Sequence, residues 1–443
     1  MKRLSALFLL ALAVSACSSR KEVVLLTLDP GHFHAALVQK VQYPGVSRDV
    51  YVYAPEGEDL EQHLAKVEAY NTRPEDPTDW NEVVYRGEDF LDRMLAEKKG
   101  NVMVTAGNNA KKTEYIARTL EAGINVLADK PMAIDEAHFA LLEKCFDTAR
   151  EKGVLLYDIM TERFEISTIL QRELSRIPAL YGEQRKGSLE EPAITKESVH
   201  HFYKNVSGNA LVRPAWFYDV RQQGEGIADV MVHLVDLVQW ECFPEQALDY
   251  RKDVELLAAR HWTTPVSRSQ FKASTGLDDF PAFLQGDVVD DTLQVYANGR
   301  IDYALKGVHA KVTVTWAFEP PAGGGDTHYS TMRGTKADLV IRQGPEQGFK
   351  PELYIEPCAP LGDVEAAFAP VAGKYPGVAL EPCGTGWHVV IPDTYRVGHE
   401  AHFGEVTRHF LEYLSEGTLP AWEVPNMLAK YYTTTQAWKM ARE

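Results

Sequence analysis

The sequence predicts an α/β fold in two parts: a doubly wound parallel sheet, then an α+β domain on a large open, mostly antiparallel sheet. Three observations predict it. Over residues 22–160, short apolar runs of strand character alternate with amphipathic helical segments, the pattern of right-handed strand–helix–strand crossovers. After about residue 160, strand-like runs begin to follow one another, as in a mixed or antiparallel sheet. Finally, 443 residues with 45% hydrophobic and 25% charged content suffice for two domains with ordinary cores.

The elements come in order. "MKR", the apolar "LSALFLLALAV" and "VSAC" resemble a bacterial lipoprotein signal peptide. That implies removal of residues 1–16 and a lipid on Cys17, anchoring the protein to a bacterial membrane, periplasmic or at the cell surface. No later stretch is apolar and long enough to span a bilayer. "EVVLLTL" is a strand, Asp29-Pro30-Gly31 a turn, and "HFHAALVQKV" a helix through Val41. "DVYVYAP" is a second strand, and 67–80 ("VEAYNTRPEDPTDW") is a polar, proline-punctuated loop. "NVMVTAGNN" is a strand ending in Gly107-Asn108-Asn109, followed by the helix "AKKTEYIARTLEAG". "INVLADKP", "DEAHFALLEKCFDTAREKG" and "VLLYDIM" continue as strand, helix and strand. "FEISTILQRELSRI" and "GIADVMVHLVDLVQW" are helices of the second part, and "DTLQVYANGRIDYAL", "AKVTVTWAFE" and "ADLVIRQ" are strands. "WEVPNMLAKYYTTTQAWKMARE" closes the chain as a helix.

Charge and cysteines narrow the function. A net charge of −17 with no basic cluster excludes a nucleic-acid partner, which needs a basic face. Apart from Cys17 there are Cys145, Cys242, Cys358 and Cys383, none in CxxC spacing. Cys145 and Cys242 read as buried thiols; Cys358 and Cys383 have the choice of pairing or staying free.

Three motifs fall into register. The strand–turn–helix at 23–41 is where a dinucleotide pyrophosphate meets a helix amino terminus. Asp129-Lys130-Pro131 ends a later strand of the same sheet, at the side where open α/β sheets bind ligands. Asp229, His233 and Asp236 stand at i, i+4 and i+7, on one helical face. With "GTKADL" at 334–339, these resemble the Gfo/Idh/MocA family of NAD(P)-dependent oxidoreductases over residues 22 to about 345. The resemblance implies a Rossmann-type dinucleotide-binding domain over 17–157 and a substrate-binding α+β domain with a C-terminal helix over 158–443. It implies NAD or NADP contacted by Gly31, His32, Phe33, His34, Asn108, Asn109 and Lys130; export away from the cytoplasmic NAD pool leads to the expectation that the dinucleotide is tightly bound. Lys130 would bridge substrate hydroxyl and nicotinamide, His233 would be the general base, and Asp229 would orient His233. The chemistry is consistent: an alcohol needs a base of pKa near ~6.5 and a cation beside the developing alkoxide.

The chain departs from the family where the cofactor would lie. Only the middle glycine of G-x-G-x-x-G survives in Asp29-Pro30-Gly31-His32-Phe33-His34, and Ala54-Pro55 replaces the acidic residue after the second strand. Tyr203, Arg213, Trp216, Tyr218 and Asp236 are candidate substrate contacts, with aromatic faces suited to a carbohydrate. The expected reaction is hydride transfer from a sugar or glycoside hydroxyl to a retained dinucleotide, with net oxidation and redox-neutral glycoside cleavage both open. This reading includes no metal, and it expects a homo-oligomer formed through the open sheet. A rival is a metal-dependent, amidohydrolase-like hydrolase using His32 and His34; another is a non-catalytic sugar-binding lipoprotein.

Overall fold

A computed structural model describes residues 22–206 and 209–443. The signal segment and Cys17 lie outside the described residues. The first sheet has six parallel strands: β1 (Leu25–Leu28), β2 (Asp49–Ala54), β3 (Asn81–Arg86), β4 (Val102–Thr105), β5 (Asn125–Asp129) and β6 (Leu156–Ile159), in the order β3-β2-β1-β4-β5-β6. Central strands β1 and β4 are buried along their whole length, which is why they are unbroken apolar runs. The order reverses between β1 and β4, so the chain leaves these two strands in opposite directions and opens a crevice at their carboxyl ends.

Two expectations are corrected. The helix after β1 is a single turn, His34–Leu37, and does not run to Val41. Helix Glu58–Thr72 takes in the first part of the segment read as a loop from residue 67. Asn71 near its end is held by Trp80 and Thr78, so a polar residue there closes a turn and does not mark open loop. β3 and the helix Phe90–Glu97 carry no strong sequence signal, because β3 is an edge strand of exposed and half-exposed residues.

The second sheet runs, edge to edge, Val254–Ser267, Thr292–Leu305, Val308–Ala317, Ile194–His201, Thr327–Arg333, Ala337–Arg342, Glu352–Pro357, Gly386–Val390 and Ala379–Cys383. A short strand, Val288–Val289, pairs with Thr292–Leu305 off that path. Ile194–His201 with Val308–Ala317 is the parallel pair; the other pairings are antiparallel. Helices Ile166–Ser175, Met231–Cys242 and Glu423–Arg442 pack against this sheet, and the last also packs on helix Glu136–Lys152 of the first domain. Among the described residues no helix is long and apolar enough to cross a membrane. Among the described residues Cys358 and Cys383 are exposed and unpaired, and Cys145 is buried.

A buried charge cluster joins the two domains. Lys430 Nζ lies 2.8 Å from Asp158 at β6 and 2.9 Å from Asp236, while Arg163 grips both oxygens of Asp236 at 2.6 and 2.7 Å and reaches Glu423 at 2.9 Å. The expectation that Asp236 binds substrate is therefore corrected. Its carboxylate, held well below the usual range by Arg163 and Lys430 against the effect of burial, faces this knot and not a cavity.

Candidate active site

β5 ends at Asp129, and the next residue, Lys130, donates from Nζ to Asp229 Oδ1 at 2.7 Å. Asp229 also accepts from Gln223 Nε2 at 2.9 Å. Helix Met231–Cys242 starts after Asp229, so Asp229 sits in the entering turn and His233 near the helix start. Gly226 lets that turn lie on the sheet, since a Cβ there would stand 1.7 Å from the Ala297 carbonyl oxygen. The geometry corrects one role: Asp229 orients Lys130, not His233, whose Nδ1 is buried without a partner among the described residues.

Lys130, Asp229 and His233 line one cavity of about 1100 Å³ between the domains. Desolvation, then the Lys130 charge, lowers His233 to about 3, so its imidazole is neutral near pH 7 and able to accept a proton. Glu162, just past β6, accepts a hydrogen bond from His399 Nδ1 at 3.2 Å, with His402 nearby. Burial alone would raise Glu162; the His399 contact and the surrounding imidazoles hold it low. On the sheet side, Asp326 is bound by His200 at 3.1 Å, His201 at 3.0 Å and Lys204. Trp316 lines the same wall, stacked on His200 at 5.2 Å. Sequence reasoning missed Glu162, Asp326, His399 and His402 here. The available signals were Glu162 past a parallel strand end and His399-x-x-His402 in one helical turn.

Of the other expected site residues, Tyr203 and Phe33 line the cavity. Arg213 also lines it, but its donors go to the carbonyls of His201 and Phe202 and its guanidinium lies 4.1 Å from the Phe217 ring centre. Tyr218 is corrected: it is buried, 2.5 Å from Ser274 Oγ, in the aromatic core of the second domain. Trp216 is corrected too, since its indole lies over a second crevice beside the turn after β1 and donates to Asp59 at 2.9 Å. Asn108 caps helix Asn109–Glu121 and donates to Gln222 at 2.7 Å, and Asn109 donates to the Gln223 carbonyl at 2.7 Å. Both asparagines thus clip the domains together.

A profile for the "Putative oxidoreductase C terminal domain" matches residues 170–442, and one for the "Oxidoreductase family, NAD-binding Rossmann fold" (GFO_IDH_MocA) matches residues 47–158. The crystal structure of a "putative oxidoreductase" from Parabacteroides merdae ATCC 43184 is 63% identical, with TM-score 0.92, covering 95% of this chain and 98% of that one. The chain belongs to the Gfo/Idh/MocA oxidoreductase family. Two more distant members of the structural comparison share the fold. GenD2 from gentamicin A biosynthesis, solved with NAD, is 16% identical with TM-score 0.58, covering 96% of this chain and 95% of that one. KijD10, a 3-ketoreductase from Actinomadura kijaniata solved in an open conformation with TDP-benzene and NADP, is 15% identical with TM-score 0.56, covering 93% of this chain and 96% of that one. A search of curated proteins found no match.

A family of NAD-binding Rossmann oxidoreductases implies a dinucleotide, and both ends of one fit this chain. The cavity beside Lys130 and His233 suits the nicotinamide end. A crevice of about 530 Å³, lined by Asp29, Pro55, Glu56, Asp59 and Trp216, lies where the adenosine end belongs. The crossing between them is closed. The Gly31 N–H donates to Asp29 O at 2.8 Å, the His32 N–H to Ala106 O at 3.0 Å, and the His34 N–H to His32 Nδ1 at 3.3 Å, so these turn donors are already used. A Cβ on Gly31 would stand 3.1 Å from the Trp216 ring, so the indole rests on the turn itself.

Acid should unfold this molecule through its imidazoles. Burial lowers His32 and His34 well below the usual imidazole value, His233 and His328 to about 3, and His402 to about 4. Their folded pKa values lie below the unfolded ~6.5, so the unfolded chain binds more protons. Their contribution is fully present above pH ~6.5 and is lost as pH falls toward the folded values, at about 1.4 kcal/mol per pH unit for each imidazole. His138, raised by its Asp135 hydrogen bond, acts in the opposite sense, one group against five. Denaturant midpoints should fall steeply from pH 6.5 to 4.5; a flat profile would show that the imidazoles are already charged in the fold.

Proposed function

We propose that the protein transfers hydride between a carbohydrate ring hydroxyl and a retained nicotinamide dinucleotide, as a lipid-anchored enzyme outside the cytoplasm. The observation that carries this is the Lys130–Asp229 pair sharing one cavity with a neutral, unpartnered His233 at the carboxyl end of β5. When bound, nicotinamide supplies the hydride acceptor. His233 takes the hydroxyl proton, and Lys130, fixed by Asp229, holds its ammonium at the oxygen where negative charge develops. Trp316 and Tyr203 offer flat apolar faces among ionic groups, the lining a polyhydroxylated ring requires. KijD10, a 3-ketoreductase of the same fold, supports a sugar carbon as the redox centre. The adenosine crevice favours NAD over NADP. Asp29, Glu56 and Asp59 would repel a 2′-phosphate, and Arg213, the cation of its lining, is held by two hydrogen bonds to carbonyls.

Retention follows from the closed crossing. Trp216 and Asp59 have to part before a dinucleotide crosses Gly31, so exchange is slow. That suits an exported protein without access to the cytoplasmic nucleotide pool. The test is to denature the purified protein, identify released nucleotide by mass, and follow nicotinamide absorbance after adding a donor sugar alone. A single-turnover signal reversed by an acceptor sugar is expected, and Trp216→Ala should release nucleotide at least ~10-fold faster. Steady NADH production from added NAD would mark freely exchanging cofactor. No nucleotide and no response to NAD or NADP would leave a sugar-binding protein.

A further inference from the structure

The sequence reading treats His32 and His34 as either cofactor contacts or hydrolase ligands, and the structure adds a third group beside them. Asp129, from the last residue of β5, reaches the turn after β1. Its Oδ2 lies 3.0 Å from His34 Nδ1, and candidate ligand atoms on His32, His34 and Asp129 all fall within 4.8 Å of one another. Ligands sharing one first-row divalent ion at about 2.0–2.2 Å stand roughly 3–4 Å apart, so side-chain shifts of under about 1 Å would complete the set. We propose that His32, His34 and Asp129 bind one divalent transition-metal ion whose open coordination positions face the large cavity beside Lys130.

The plainer alternative is a hydrogen-bonded His34–Asp129 pair. That pair leaves the other carboxylate oxygen, Oδ1, buried and without a partner among the described residues, on a residue only 4% exposed. A buried acceptor left unmade is costly, and an ion supplies its partner. The neighbouring cations are already engaged. Lys130 is paired with Asp229, and Lys112 donates to Asn109 Oδ1 and the Asp129 carbonyl. Two imidazoles and a carboxylate with open positions form a donor set for zinc, iron or manganese, and a cavity-facing position would take a substrate hydroxyl oxygen. The proposal does not depend on the dinucleotide.

The test uses binding, not turnover. Mature protein is stripped with chelator, dialysed and titrated with Co²⁺, read by visible absorption and calorimetry. One saturable equivalent with a ligand-field band is expected. Affinity should fall at least ~10-fold in Asp129→Asn, which preserves the size of the side chain, and more in His32→Ala and His34→Ala. His402→Ala, outside the set, should bind as wild type does. A thermal melt of each variant checks folding, and the wild-type stoichiometry decides the matter even if one variant fails to fold. No saturable band in wild type, or an unchanged isotherm in folded His34→Ala, overturns the proposal.

Discussion

Lys130→Met is expected to lower kcat at least ~10²-fold while leaving the melting temperature near wild type, the size of loss typical of a lost proton-transfer or charge-stabilising partner. Methionine keeps the length of the stem and removes the ammonium that Asp229 holds at 2.7 Å. A second readout separates this role from a structural one. The Lys130 charge is among the causes that lower His233, so its removal makes His233 easier to protonate. The acid limb of the kcat/KM profile should therefore move to higher pH in Lys130→Met. His233→Ala should show a comparable loss in kcat and no such limb. Wild-type rates in either variant would remove that residue from the mechanism.

Lys430→Met should cost about 3–5 kcal/mol of stability, because it leaves buried carboxylates without their cation. Asp158 would keep only the Tyr431 hydroxyl at 2.8 Å, and Asp236 would keep Arg163 alone. These groups tie β6 and helix Met231–Cys242 to the C-terminal helix, so the loss should appear as a lower denaturant midpoint. Adding Asp158→Asn should recover part of it by removing the uncompensated charge. A change below about 1 kcal/mol in the single variant would mean that the cluster is solvated.

How much of the site was legible varies with the distance in sequence over which it is assembled. Lys130 was legible because an apolar run, a charge and a proline in sequence mark the end of a buried strand. His233 was legible because a histidine on a nearly all-apolar helix is conspicuous. Asp236, on the same helix, was misread. Its spacing puts it on the same helical face as His233, but its partners Arg163 and Lys430, 73 and 194 residues away, engage its carboxylate in the buried charge cluster. Tyr218 and Trp216 sit two residues apart yet serve an aromatic core and the nucleotide crevice, a separation set by the turn they ride on. His399, His402 and Glu162 join the site from helix His399–Glu416 and a strand end, and the His399–Glu162 contact joins opposite halves of the chain.

The sequence by itself determined the two-part architecture, the Lys130 strand end, the helix that carries His233 and the degraded glycine turn. Each of these is a local pattern: apolar periodicity, a capping glycine, or charge next to proline. Only the tertiary structure decided that Asp229 serves Lys130, that Trp216 closes over Gly31, and that Asp129 meets His32 and His34. These are long-range meetings of polar side chains, and burial fixes them because an unpaired polar group inside a protein is costly. A linear sequence shows which groups are polar, but the packing of two domains against each other selects their partners.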